Sequence, residues 1–576
     1  MTKQKKQSFL YGASILMASM IIVKLIGALF KIPINNILHE TGMAYFNQAY
    51  TIFTTIYALT VTGLSAAVAR MVAENAAKER YRDVRKLLKV STIIFVILGI
   101  LGSITIVLSA KFIVSAAKMP NAFWSIVMVS PAIFFCCLMA SYRGYYEGLS
   151  NMIPTAITQV VEVVVKLVAG LLFSFIVLKI ANSQFKETGK VFGVVVDNLK
   201  EVNSVAIPYA AAAAILGVSV STLVGFIYIF IRFKVKGDFI TKEQILNSPK
   251  PMRSKVLYYR LFKIAIPITL GAVVIQLSVL IDNLTIPDRL SHAFSSNPTL
   301  FNDLYGHLLE KGDVMNVFLF GCFSTVLAIF NLVPAFTNIF GKSSLPNVTA
   351  AWTVKDKQKV KVNIESVIRV TMLIAAPASM GIAFLSGPII KLLFRKLAGA
   401  VAIGPGLLSV LAVGALFLSL VTPVNSIMQG IGRVDLPVKY LLVGASLKLI
   451  LNIILVGIPS INIMGASIST VVCYSVIAFL SINKLRKIVG VKLNFVSILV
   501  KPMIAGLSCG ISAFLCYKTL TLWIENSIIT VFSICVGALV YVIVLALINA
   551  ISVDDVLMLP KGNKIAKTLE KLRIIR

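Results

Sequence analysis

The sequence predicts an all-α polytopic membrane protein of about fourteen transmembrane helices, and three observations carry that expectation. Apolar runs of roughly 20 residues recur from end to end, each long enough to cross a hydrocarbon core about 30 Å thick. Hydrophobic residues make up 58% of the 576 and charged residues only 14%, with a mean hydropathy of +0.91, well outside the soluble range. Finally, Lys and Arg alternate between dense and sparse loops.

Taken in order, spans fall near 8–32, 44–68, 90–114, 122–146, 154–180 and 204–231. A second group lies near 258–286, 314–340, 366–392, 403–428, 436–459 and 463–483, and two more follow near 499–520 and 526–550. The first run follows Lys3, Lys5 and Lys6, as a signal peptide would. It is long, carries Lys24 and lacks a small-x-small cleavage site, so it reads as an uncleaved span.

A net charge of +32 would suggest nucleic acid in a soluble chain. Here the cations collect in alternate loops by roughly three to one, because Lys and Arg resist translocation and meet anionic headgroups. The heaviest loops are Arg70–Lys89, Arg232–Lys263, Lys342–Arg369 and the tail Lys561–Arg576. This bias predicts an even number of spans with both termini cytoplasmic, contact with anionic lipids and no nucleic-acid partner.

An internal repeat divides the spans. Glu147-Gly148-Leu149, Pro154 and Lys166-Leu167 reappear as Gln429-Gly430-Ile431, Pro437 and Lys448-Leu449, and one offset relates both Gly148 to Gly430 and Lys166 to Lys448. Ile32-Pro33 and Ile286-Pro287 match more weakly. Two pseudo-symmetric six-helix lobes with two added C-terminal helices follow, a plan suited to alternating access. The expected segments are an N-lobe over 1–232, a cytoplasmic linker over 233–257, a C-lobe over 258–490, two helices within 491–550 and a basic tail over 551–576.

Ionisable residues inside a bilayer are costly and mark cavities or partners. The candidates are Lys24, Lys31, Glu162, Lys166, Asp282 and Lys448. Glu162 and Lys166 lie four apart on one helix face and can pair. Asp282 is a candidate ion-coupling site. The surplus of positive charge suits an anionic ligand, a phosphate or pyrophosphate above all.

No catalytic constellation, metal site or cofactor motif is visible. The seven cysteines sit in apolar stretches without metal spacing and read as small apolar fillers. His39, His292 and His307 fall in expected external segments, in no ligand spacing with Asp288, Asp303, Glu310 or Asp313. No Gly-rich nucleotide loop is present, so ATP is not the expected energy source.

Arg143-Gly144-Tyr145-Tyr146-Glu147-Gly148-Leu149, then Asn151-Met152, Pro154-Thr155-Ala156 and Gln159-Val160-Val161-Glu162, resembles the signature of the stage V sporulation protein B group. Ser344-Leu345-Pro346, Gln429-Gly430-Ile431-Gly432-Arg433 and Gly457-Ile458-Pro459-Ser460-Ile461-Asn462 resemble it too. That group belongs to the multidrug/oligosaccharidyl-lipid/polysaccharide exporter superfamily, beside the lipid II flippases. The resemblance implies flipping of an undecaprenyl-pyrophosphate-linked saccharide across a bacterial plasma membrane, with the cell-wall synthesis machinery as a partner and the last two helices as a lipid-handling groove. It places Lys24 at the first cavity arginine of the flippases and Lys31 one residue beyond the second. The arginine pair of their second span has no counterpart, since Tyr57-Ala58-Leu59 is uncharged. Two rival expectations are a cation-coupled multidrug antiporter using Asp282 and a non-transporting wall-assembly scaffold.

Overall fold

The computed structural model describes residues 9–310, 312–337, 348–349, 351–352, 354–433, 435–490, 493–523 and 526–548. Lys3, Lys5 and Lys6, the Ser344-Leu345-Pro346 motif and the basic tail lie outside the described residues. The described chain is helical apart from one two-stranded hairpin, β1 (Lys190–Val191) against β2 (Val194–Val195).

Among the described residues, thirteen helical stretches are long and apolar enough to cross a membrane. The first, Ala18–Ala77, runs 60 residues, which would reach about 90 Å if straight. It is not straight. Helix α1 (Phe9–Tyr57) breaks at His39, whose φ of 54° and ψ of −172° lie outside helical space. Lys31 Nζ therefore comes within 3.0 Å of Asn47 Oδ1, two groups that a straight helix would hold about 24 Å apart. The chain doubles back at His39, so α1 supplies two crossings and the expected fourteen are accounted for.

A π-turn over Ala58–Thr62 leads into α2 (Gly63–Ala77), followed by α3 (Tyr81–Ala116), α4 (Phe123–Gly148), α5 (Ile153–Thr188) and α6 (Leu199–Lys236). A short α7 (Lys242–Leu246) precedes α8 (Ser254–Ser296). The second half contains α9 (Pro298–Tyr305), α10 (Met315–Phe330), α11 (Lys357–Phe384), α12 (Ser386–Leu393) and α13 (Ala398–Gly430). It ends with α14 (Asp435–Leu451), α15 (Met464–Val489), α16 (Lys501–Leu520) and α17 (Ile528–Leu547). The repeat residues occupy matching places. Gly148 and Gly430 end α4 and α13, while Pro154 and Pro437 lie in the first turns of α5 and α14.

The chain divides into two compact units, Met1–Ser291 with Leu309–Gly321, and His292–Leu308 with Cys322–Arg576. The repeat alone would put α8 in the second half, but its contacts put it in the first unit as far as Ser291. The reason is close backbone packing on α2: a Cβ at Gly63 would lie 2.5 Å from the Ala265 carbonyl and 2.6 Å from the Thr269 nitrogen. In the second unit the last two helices pack on α11. There Tyr541 donates to the Leu373 carbonyl at 2.6 Å, and Ala505 and Leu545 bury beside Leu373.

The segment joining α6 to α8 is strapped to the start of α3. Arg85 grips Asp238 through Nε at 2.9 Å and a terminal nitrogen at 3.0 Å. Lys86 donates to the Met252 carbonyl at 2.6 Å, and Asp83 accepts from the Met252 amide at 2.7 Å. Arg82 donates to the Ile245 carbonyl at 2.9 Å. Burial pushes the Asp238 carboxyl up, but hydrogen bonds from Arg85, Tyr145 and the Ile240 amide outweigh it and hold the group below its ordinary value. A depressed carboxyl contributes its stability above the ordinary carboxylate range and loses it as pH falls through the lower folded value. Asp238→Asn at neutral pH should therefore free residues 237–253, raising their hydrogen exchange while the spans stay protected. Unchanged exchange there would show that the strap does not depend on this pair.

Candidate functional site

The residues shared with the sporulation-protein signature build a bracket at the end of α4. Gly144 and Gly148 face α2: a Cβ would lie 2.7 Å from the Ser65 carbonyl at the first and 2.6 Å from the Ala69 carbonyl at the second. Tyr145 donates to Asp238 at 2.9 Å, and Tyr146 to the Gly237 carbonyl at 2.9 Å. Glu147 accepts from Thr155 at 2.9 Å, just beyond Pro154, which lies in the first turn of α5. The motif thus ties α4 to α2, to α5 and to the strap.

Arg143 reaches inward from this bracket. Its Nε donates to the Thr158 hydroxyl at 2.8 Å, and a terminal nitrogen meets Glu162 Oε2 at 2.5 Å. The two side chains are only 12% and 20% exposed. Glu162 therefore pairs with Arg143 of the neighbouring helix, and not with Lys166 on its own. An arginine suits the role because one planar fork satisfies a hydroxyl and a carboxylate together.

Lys166 is consequently turned to aromatic faces, 5.7 Å from the Phe30 ring centre and 5.5 Å from that of Tyr50. Lys31 lies 5.6 Å over Phe46 while donating to Asn47. Phe30, Phe46 and Tyr50 pack with ring centres 6.1 and 6.0 Å apart, so one aromatic cluster holds two ammonium groups. Such a cradle attracts cations without neutralising them. Lys24 lies seven residues before Lys31, two turns back on the same face of α1, and is exposed.

The other candidates sit elsewhere. Lys448 is buried in the second unit, 2% exposed, with its ammonium 5.9 Å over the Tyr474 ring. Asp282 is buried in α8 of the first unit, and on the same helix Ser278 Oγ and Asn283 Oδ1 find no hydrogen-bond partner among the described residues. Gln429 is exposed, and the Gly430 carbonyl accepts from Thr349 at 3.1 Å. No group of three or more His, Cys, Asp or Glu among the described residues could hold a metal.

Sequence reading missed the Arg143–Glu162 pair, although the two flank the α4–α5 turn almost symmetrically. It also missed Asn47, Tyr50 and Tyr57, whose spacing of three and seven puts them on one helix face.

Two family models cover most of the chain: a polysaccharide biosynthesis protein model matches residues 9–293 and a lipid II flippase MurJ model matches 328–534. The Bacillus subtilis (strain 168) stage V sporulation protein B is 22% identical over 562 residues, spanning 96% of this chain and 98% of its own. The chain is thus similar along most of its length to polysaccharide biosynthesis proteins and lipid II flippases. The lipid II flippase MurJ of the same organism is 25% identical over 474 residues, covering 81% of this chain and 80% of MurJ. A solved inward closed conformation of lipid II flippase MurJ shares the fold at a TM-score of 0.63 and 12% identity, across 92% of this chain and 98% of that one. This is a family of transporters and flippases, not an enzyme class.

The Arg143–Glu162 pair gives a direct test. Removing one member strands a charge in a poorly hydrated span, a loss of about 3–5 kcal/mol, so Arg143→Met or Glu162→Leu should lower the melting temperature of the purified protein sharply. The double variant Arg143→Met/Glu162→Leu should recover most of the loss. Singles as stable as the parent would remove the pair from the architecture.

Proposed function

We propose that this protein is a flippase that carries an undecaprenyl-pyrophosphate-linked saccharide, a cell-wall precursor such as lipid II or a related oligosaccharide, across the bacterial plasma membrane. The observation that carries the reading is the pair Lys31 and Lys166, two ammonium groups held within the spans on an aromatic cradle. Lysine meets a pyrophosphate as a compact charge with rotatable donors. The cradle leaves that charge available, because its partners are ring faces and an amide rather than carboxylates. Lys24, on the same face as Lys31, extends the positive character.

The kinship with MurJ and with the sporulation protein supports a lipid-linked saccharide over a drug cation, which would call for an unpaired carboxylate where Glu162 is already held by Arg143. In this reading both termini are cytoplasmic, the site is exposed to the two sides of the membrane in turn, and Asp282 supplies the coupling to an ion gradient. The alternating loop charges favour that orientation.

Replacing Lys31 and Lys166 together by Ala should leave the protein inserted and folded but reduce precursor export by about tenfold or more, since two charge-assisted contacts are lost. Depletion of the parent protein should make a polyprenyl-linked precursor accumulate on the cytoplasmic face, and mass spectrometry of the lipid extract identifies which. Full complementation of a flippase-deficient strain by the double variant would refute the lysine site.

A further inference from the structure

The second arm of α1 presents a polar stripe that neither the ion pair nor the lysines use up. Asn47, Tyr50 and Tyr57 share one face and are half-buried rather than lipid-exposed. The hydroxyls of Tyr50 and Tyr57 make no hydrogen bond within the described residues. Asn47 gives its oxygen to Lys31, while its Nδ2 is buried without a partner. Neighbouring Gln48 is fully buried, and both its amide atoms lack a partner among the described residues.

Helix α5 carries a matching stripe one turn apart, Gln159, Glu162 and Lys166. Gln159 accepts from Ser19 at 3.2 Å, and its nitrogen makes no hydrogen bond within the described residues. Glu162 commits Oε2 to Arg143, and its Oε1 makes none within the described residues. The two stripes belong together, because Lys166 sits over Tyr50 and Tyr57 lies within the field of Arg143 and Glu162. Along α1 an aromatic ladder runs Phe46–Tyr50–Phe53–Tyr57, each ring centre 5.9 to 6.0 Å from the next.

The chemistry is graded. Lys31 and Lys166 put positive charge at one end, and on the second arm of α1 the groups from Asn47 to Tyr57 are neutral donors and acceptors on an aromatic wall. The run from Asn47 to Tyr57 covers about 15 Å, longer than a pyrophosphate needs. Uncompensated polar groups within a span are unfavourable, so a ligand rich in hydroxyls would stabilise them. A drug cation would not, because Glu162 is neutralised by Arg143. We propose that Asn47, Tyr50, Tyr57, Gln159 and Glu162 form a saccharide subsite, with the pyrophosphate at Lys31 and Lys166 and the sugar extending along α1 toward Arg143. The inference rests on the flippase reading and adds to it the residues that read the glycan and their direction.

The test uses the full chain in nanodiscs and two probes, farnesyl pyrophosphate and farnesyl-pyrophosphate-linked N-acetylglucosamine. The parent protein should bind the sugar-bearing probe about tenfold or more tighter, as expected where a polar site meets matching hydroxyls. The double variant Tyr50→Phe/Tyr57→Phe keeps the rings and removes the hydroxyls. It should lose that preference while binding farnesyl pyrophosphate as the parent does. Preference retained by the double variant overturns the subsite, and so does equal weakening of both probes, which would make the tyrosines structural. Failure of the parent to bind either probe, or undiminished binding of both by Lys31→Ala/Lys166→Ala, refutes the flippase reading itself.

Discussion

A guanidinium and a carboxylate inside a membrane span must find each other, and the pairing of Arg143 with Glu162 sets the terms for the residues around it. It joins α4 to α5 near the turn between them, at 2.5 Å. It also decides what Lys166 can do. With Glu162 committed elsewhere, Lys166 turns to Phe30 and Tyr50.

The same bracket explains why so many motif residues are small or polar. Gly144 and Gly148 give α2 room to pass, and Tyr145 and Tyr146 carry hydrogen bonds out to the strap at Asp238 and Gly237. Asp238 in turn is shared between Tyr145 and Arg85. One stretch of α4 therefore connects the membrane-embedded ion pair to the segment that enters α8. The strap thus leads into α8 on the side where that helix packs on α2 in the first unit, although the repeat pairs its Pro287 with Pro33 near the start of the chain.

The positive charges divide into two kinds. Those in the loops follow from the difficulty of moving Lys and Arg across a bilayer. Those in the spans follow from local shelter: Lys31 and Lys166 share an aromatic cluster in the first unit, and Lys448 lies against Tyr474 in the second. The offset that relates Lys166 to Lys448 in the sequence thus relates two lysines with the same kind of neighbour. An aromatic face is a fitting shelter, because the ring quadrupole attracts the ammonium without cancelling its charge.

The sequence by itself determined the helical class, the fourteen crossings and the list of charges inside them, because hydropathy and length act locally and a bilayer leaves few alternatives. It also determined the Gly and Pro positions at the ends of α4, α5, α13 and α14, since those are set by turn chemistry. Only the tertiary structure decided which charges meet. On α5 alone, Glu162 and Lys166 are ideal partners by spacing. Arg143 wins because it arrives from α4 with a second acceptor, Thr158, in reach, and a fork with two acceptors outcompetes a single flexible ammonium. The fold-back at His39 was equally beyond sequence reading, since it is a backbone angle and not a composition. By bringing Asn47 to Lys31 and Phe46 to Phe30, it joined two separate apolar spans in one cluster.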